Sequence, residues 1–313
     1  MKIYVALPPA AAEHHDVLRQ LVGDDELWLA NPTPSAEDLA AFAEAEIAFG
    51  LIPFDRLEIA RKLRWVQFIS VGIEGYRHVA WDRFSSITCT NLRGLYAEPM
   101  AQTVLAGILA LYRGIDQLAR LQAKHDWQKA RLHPNVQVLR ESHVLLLGAG
   151  SVNRRVRALL EPFGCTFTVF GRTHGDIHTR AQLDEALPTA DLVCAALPDT
   201  PDTQNLLDRS RLARLKPNAV LVNVGRGSLL DEKALVEQLT AGRLGGAMLD
   251  VTREEPLPPS DPLWDCPRLL LTQHTSAGSR HVMVTAMVFF ANNLEAYRGG
   301  RPLMNVVNWE RGY

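Results

Sequence analysis

The chain has 313 residues, with 33 Lys and Arg against 35 Asp and Glu and a formal charge of −2 at pH 7. That length suits two domains of about 150 residues, each able to bury its own core. The balanced, scattered charge excludes a nucleic-acid surface, and the longest apolar stretch, around Val104 to Tyr112, is interrupted and far too short to span a membrane.

The first 97 residues alternate strand and helix patterns. Strands are predicted at Ile3–Leu7, Leu27–Leu29, Ile47–Gly50, Trp65–Ile69 and Ile87–Thr90, with helices at Ala10–Val22 and Phe54–Leu63 between them. Ser35-Ala36-Glu37-Asp38 has the form of a capping box opening a helix to Ala43. Ser70-Val71-Gly72-Ile73 is expected as a tight loop. One long helix is predicted from Glu98 to Ala123, with Pro99 in its first turn, as a domain linker or part of a subunit interface. Strands then resume at Val144–Leu147, Thr166–Phe170, Leu192–Ala195, Ala219–Asn223, Gly246–Leu249 and Leu269–Thr272. Glu254–Pro262 is a proline-rich fixed loop, and a last helix is expected over Ser279–Tyr297. Such alternation predicts parallel sheets wrapped by helices.

The four cysteines, Cys89, Cys165, Cys194 and Cys266, lie far apart with no metal-ligand spacing. They read as buried thiols of a reducing compartment, with no metal site. Met1–Leu7 is too short an apolar run for a signal peptide and reads as a strand, so a cytoplasmic location is expected.

The centre of the chain is Val144 to Arg172. An apolar run ends in Gly148-Ala149-Gly150, and a helix pattern follows with Val152, Val156, Leu159 and Leu160 on one face, stopped at Gly164. This strand–turn–helix–strand unit is of the dinucleotide-binding kind: Gly148 permits the turn, and Gly150 lets backbone approach a pyrophosphate at the helix start. Asn153 stands where the third glycine of G-x-G-x-x-G belongs. A small polar side chain there has two uses open to it, a phosphate or a free backbone group, and a slightly displaced first turn is expected. The neighbouring Arg154, Arg155 and Arg157 read as a solvated face.

Ligands of open parallel sheets bind beyond the carboxyl ends of the strands. Those ends carry Gly148, Gly171-Arg172-Thr173, Leu197-Pro198, Gly225-Arg226-Gly227, Asp250 and His274. The Arg226 fork fits a carboxylate, and flanking glycines are expected to leave room for a substrate. His274 can exchange a proton near neutral pH, and Glu255 can bond its other ring nitrogen. This is acid–base chemistry beside a nicotinamide that carries the hydride. The second strand ends without the Asp or Glu that bonds a ribose 2′-hydroxyl in NAD sites; Arg172 and Thr173 suit a 2′-phosphate, so NADP is expected over NAD.

Several strings together resemble the D-isomer-specific 2-hydroxyacid dehydrogenases. Val222 to Glu232 resembles their arginine signature, Gly246 to Leu257 their glutamate signature, Leu197 to Thr203 their L-P-x-T-P-x-T loop, and Thr272 to Ser276 their histidine motif, with Gln273 where proline is common. The Arg253-to-Pro258 string and the closing Arg311-Gly312-Tyr313 are similar to the glyoxylate/hydroxypyruvate reductase branch. The resemblance implies an α/β fold of two Rossmann-like or flavodoxin-like parallel-sheet domains with a cleft between them. The substrate domain would be residues 1–97 and 279–313, and the dinucleotide domain 98–278. Arg226 would clamp the substrate carboxylate and carbonyl, His274 would act as acid and base, and Glu255 would support it. The N–H groups of Val71 and Gly72 would hold the carboxylate, and Asp250 would bond the nicotinamide carboxamide. The cofactor set is then Gly148, Gly150, Ser151, Val152, Asn153, Arg172, Thr173, Leu197, Pro198, Thr203, Val224, Gly225 and Asp250. Tyr96, Trp127, Trp264 and Met283 are candidate pocket residues. The implied reaction is NADPH-dependent reduction of a small 2-keto acid, such as glyoxylate or hydroxypyruvate, to the D-2-hydroxy acid. The alternative on the same fold is a dinucleotide sensor of the corepressor type. A two-fold homodimer is the default assembly.

Overall fold

A computed structural model describes residues 1–310; Arg311-Gly312-Tyr313 lies outside the described residues. The chain divides into two compact units, one of residues 1–95 joined by the stretch from Ser279 onward, the other Tyr96–Gly278. Among the described residues no helix is long and apolar enough to cross a membrane.

In the first unit, strands β1 (Lys2–Ala6), β2 (Glu26–Ala30), β3 (Ile47–Gly50), β4 (Trp65–Gln67) and β5 (Thr88–Thr90) form a parallel sheet ordered β2-β1-β3-β4-β5. Helix α1 (His15–Val22) and helix α2 (Ala36–Ala43) join the early strands. The Ser35–Asp38 capping box forms in both directions. Two expected helices are shorter than their apolar spacing suggested. Pro9–His14 is a 3-10 segment that gives way to α1 only at His15. Phe54–Ile59 is a kinked 3-10 segment, interrupted at Arg56, because Phe54 and Leu57 pack into the core without a continuous helical face.

In the second unit the expected single helix is two. Helix α3 (Ala97–Tyr112) ends before Gly114, whose left-handed backbone (φ 68°) starts helix α4 (Ile115–Gln122) on a new axis. The apolar spacing continues across the break, so periodicity alone missed it. A short α5 (Lys129–Leu132) follows. Strands β6 (His143–Leu147), β7 (Thr166–Phe170), β8 (Leu192–Ala195), β9 (Val220–Asn223), β10 (Gly246–Leu249) and β11 (Leu269–Leu271) form one parallel sheet ordered β11-β10-β9-β8-β6-β7. Helices α6 (Ser151–Leu160), α7 (Arg180–Ala186), α8 (Arg209–Leu212) and α9 (Glu232–Thr240) supply the crossovers. The alternate residues of these strands feed two cores. Val144, Leu146, Val220 and Val222 pack with Val104 and Ile108 of α3, while Leu145, Leu147, Val193 and Leu221 pack with Leu183 of α7 and Leu235 of α9. Apolar runs buried on both faces are what a doubly wound parallel sheet requires. Burial pushes the Cys194 thiol here, and the Cys89 thiol in the core of the first unit, well up, which keeps both protonated. The last helix, α10 (Val282–Arg298), belongs to the first unit, where Phe290 stacks between Phe49 and Trp65.

Candidate active site

Gly148, directly after β6, has φ 110°, and a Cβ there would meet the Ala196 carbonyl oxygen at 2.9 Å. Only glycine takes both constraints without strain. Gly150 is the N-cap of α6 and carries no side-chain cap. A Cβ on it would have no neighbouring atom within 4 Å. Half-buried Ser151 and Val152 open the helix, so the α6 N-terminus offers backbone N–H groups and the positive end of its dipole to open space. This cradle fits the pyrophosphate of a dinucleotide. A cavity of about 300 Å³ adjoins the turn, lined by Gly148, Ala149, Asn153, Arg154, Arg157 and residues of the loop after β7. In that loop Arg172 and Thr173 are exposed, while the nearest downstream carboxylate, Asp176, accepts the Val169 N–H at 2.8 Å.

Asn153 is buried, and its amide donates to the carbonyl oxygens of Leu147 and Gly148, each at 2.9 Å, and weakly to that of Cys194. Of the two uses open to it, the backbone one is the one seen: its amide is spent on main-chain carbonyls. Arg155 pairs with Glu98 and Arg157 with Glu161, so that basic run is a surface face.

The candidate acid–base pair lies beyond the ends of β10 and β11. His274 Nδ1 is 2.7 Å from Glu255 Oε2, and both side chains are part-exposed. Glu255 Oε1 accepts the Thr252 N–H at 3.0 Å, so each carboxylate oxygen is held. His274 takes φ 56° and the preceding Gln273 φ 51°. Buried Asp250 holds this turn. Its carboxylate accepts the Thr272 hydroxyl at 2.6 Å, the N–H groups of Thr275 and Ser276, and the Ser276 hydroxyl, and its carbonyl accepts the His274 N–H at 2.6 Å. Arg226 follows β9, with its carbonyl bonded by Asn223 and one guanidinium nitrogen on the Gly225 carbonyl. Its glycine neighbours do not leave room for substrate. A Cβ on Gly225 would strike Leu197 backbone, and one on Gly227 would strike Thr252 backbone at 2.0 Å. The space is filled by adjoining loops, which bind the Arg226 loop to the Glu255 loop.

A family model described as D-isomer specific 2-hydroxyacid dehydrogenase, NAD binding domain, matches residues 105–276. Over 303 residues the chain is 31% identical to a glyoxylate reductase of Aeropyrum pernix, covering 92% of this chain and 90% of that one. The chain belongs to the D-isomer specific 2-hydroxyacid dehydrogenases. This dehydrogenase, an NAD(P)-dependent enzyme by family, is also 31% identical over 275 residues to a glyoxylate/hydroxypyruvate reductase B of Pectobacterium carotovorum, covering 83% of each chain. Among solved structures it is similar to a member of the same family from Aeromonas salmonicida, with a TM-score of 0.82 and 28% identity over 98% of this chain and 99% of that one. A second similar structure, from Xanthobacter autotrophicus in complex with NADPH and MES, has a TM-score of 0.83 and 25% identity, covering 99% of each chain.

Several of the sequence-derived residues in the dehydrogenase also hold its own loops in place. The Asp250 carboxylate is engaged by four groups of its own chain, which shape the His274 turn. The Thr203 hydroxyl donates to the Pro198 carbonyl and accepts the Thr200 N–H, closing the Leu197–Thr203 loop on itself. Buried Val224 and Gly225 present backbone only, and Pro198 and Leu197 sit half-buried beside them. In the first unit, the Val71 carbonyl accepts from Asn91 and the Gly72 carbonyl from Ser70. Trp127 is exposed, the Trp264 indole is tied to the Pro258 carbonyl, and Tyr96 and Met283 are half-buried. Sequence reasoning missed Thr252, Thr272 and Ser276. The signal for the last two was a hydroxyl two residues either side of His274. A larger cavity of about 410 Å³ lies at the opposite, N-terminal edge of the sheet, where Asp191 and Lys216 pair with each other at 2.7 Å. Ligands of parallel sheets bind at the other end.

Proposed function

We propose that the enzyme reduces a small 2-keto acid of the glyoxylate or hydroxypyruvate class to the D-2-hydroxy acid, with NADPH preferred over NADH. The observation that carries this reading is the His274–Glu255 pair at 2.7 Å, at the sheet end that also bears Arg226 and the glycine turn. Relatives named as glyoxylate and glyoxylate/hydroxypyruvate reductases support the substrate class. The residues at the turn fit a dinucleotide: Gly148, Gly150, Ser151 and Val152 for the pyrophosphate, and Arg172 and Thr173 for the adenosine end. When bound, the nicotinamide supplies the hydride.

The protein supplies the rest. With Nδ1 bonded to the Glu255 carboxylate, the ring presents Nε2, and the protonated ring donates from Nε2 to the carbonyl oxygen as that oxygen gains charge. Glu255 stabilises the imidazolium before transfer and keeps the ring oriented afterwards. Arg226 matches the substrate carboxylate with two parallel N–H groups and polarises the adjacent carbonyl. In the oxidative direction His274 takes the hydroxyl proton back.

The test is turnover of a panel of 2-keto acids with each cofactor, in wild type and in His274→Ala. Loss of a positioned general acid costs roughly a hundredfold or more in kcat. Wild-type turnover in a folded His274→Ala variant sinks the assignment. Tight cofactor binding with no reduction of any 2-keto acid would favour the sensor reading instead.

A further inference from the structure

The Glu255 loop is held in place by a side chain of its own. Arg253, two residues before Glu255, sends its guanidinium back across the Arg226 loop. Nε donates to the Leu230 carbonyl at 2.9 Å, and Nη2 donates to the Ser228 carbonyl at 3.3 Å and to the Asn205 side-chain oxygen. Its backbone N–H donates to Glu232 Oε1 at 2.7 Å, at the start of α9. The adjoining Thr252 N–H is the donor that fixes Glu255 Oε1. Gly227 lies against this point so closely that a Cβ would fall 2.4 Å from the Arg253 nitrogen. Two loops that carry separate parts of the chemistry, the Arg226 clamp and the Glu255–His274 pair, are thus joined by one planar fork. A fork with several fixed donors is suited to bridging carbonyls from different strands of a turn, which a lysine point charge is not.

We propose that Arg253 is a positioning residue for the acid–base pair. It fixes the 252–255 segment on the Arg226 loop, so that the Glu255 carboxylate stays on His274 Nδ1 while Arg226 stays at the substrate carboxylate. Arg253 touches neither substrate nor cofactor in this assignment. The inference rests on the proposed roles of His274, Glu255 and Arg226.

Three variants test it: Arg253→Ala, Arg253→Lys and His274→Ala. The readouts are the pH profile of kcat/KM for keto-acid reduction, the NADPH Kd from protein fluorescence, and the melting temperature. In Arg253→Ala, kcat should fall about ten- to a hundredfold, the scale for a misplaced reacting group. The pH profile of kcat/KM should change with it, because the Glu255 carboxylate is no longer held 2.7 Å from His274 Nδ1. NADPH affinity should hold within about twofold, since the glycine turn is untouched. Arg253→Lys, which reaches one carbonyl but cannot bridge, should recover part of kcat and part of the wild-type pH profile. A folded Arg253→Ala enzyme with wild-type kcat and pH profile overturns the proposal. So does a loss of kcat that tracks melting and cofactor release with the pH profile unmoved, which is the signature of a purely structural residue. If His274→Ala itself keeps full turnover, the acid–base reading fails whatever Arg253 does; if only Arg253→Ala is silent, the positioning role alone fails.

Discussion

Asn153 alters a nucleotide turn without reaching outward from it. Its amide spans two carbonyls at the end of β6 and approaches a third on β8, while its own Oδ1 is buried without a partner among the described residues. Asn153→Asp would turn a donor into a charged acceptor facing carbonyl oxygens, and should cost at least about 3 kcal/mol in urea denaturation. Asn153→Gly should cost about 1–2 kcal/mol, from lost bonds and a flexible helix residue, while NADPH still binds. If Asn153→Gly abolishes NADPH binding at unchanged stability, the side chain has a direct ligand role after all. Arg172 is the opposite case, an exposed side chain in a loop where Asp176 is bonded back to the strand. A charge-assisted bond to a 2′-phosphate is worth about 1.5–3 kcal/mol, so Arg172→Ala should lower kcat/KM with NADPH about tenfold or more and leave NADH nearly unchanged. Equal values for the two cofactors in wild type, or equal losses in the variant, would refute the preference.

The turn after β11 decides how His274 is presented. Gln273 and His274 both have positive φ, and the turn is held by five bonds to Asp250, four on its carboxylate and one on its carbonyl. The proline common at this position in the resembling motif has its φ locked near about −65° and cannot adopt the backbone found here. Gln273→Pro should therefore cut kcat roughly a hundredfold by moving the imidazole off its partner. Gln273→Gly, which takes positive φ freely, should retain turnover. An active Gln273→Pro enzyme with unchanged kinetics would mean that the left-handed turn is not needed. At the same scale, Gly227 explains why the Arg226 signature needs a glycine: two loops meet backbone to backbone there.

For the molecule as a whole, the second unit exposes large apolar side chains within one stretch of chain: Ile115 at 52%, Leu118 at 49%, Val138 at 64% and Trp127 at 89%. Large apolar groups left in water mark association surfaces more often than chance. A two-fold dimer using this stretch is the expected state in solution. Light scattering across a concentration series should give twice the chain mass, and Trp127→Ser with Leu118→Ser should shift the equilibrium toward the single chain. A wild-type monomer at high concentration, or a double variant as dimeric as wild type, would place association elsewhere or exclude it.

What the sequence determined by itself was everything carried by short-range pattern. Parallel strands buried on both faces demand continuous apolar runs, and Thr166–Phe170, Leu192–Ala195 and Gly246–Leu249 were legible to the residue. Polar residues directly after such runs marked the strand ends, and with them Arg226 and His274. The tertiary structure alone decided what depends on partners distant in the chain. The spacing of apolar residues is blind to backbone handedness, so the break at Gly114 was hidden. Asn153 meets Cys194 and Arg253 meets Asn205 only once the crossovers are wound. Asp250 ends one strand, and its bonds to Thr272 and Thr275 lie in the turn after the next one. A side chain's type is local information; which of its hydrogen bonds are already taken is a property of the folded whole.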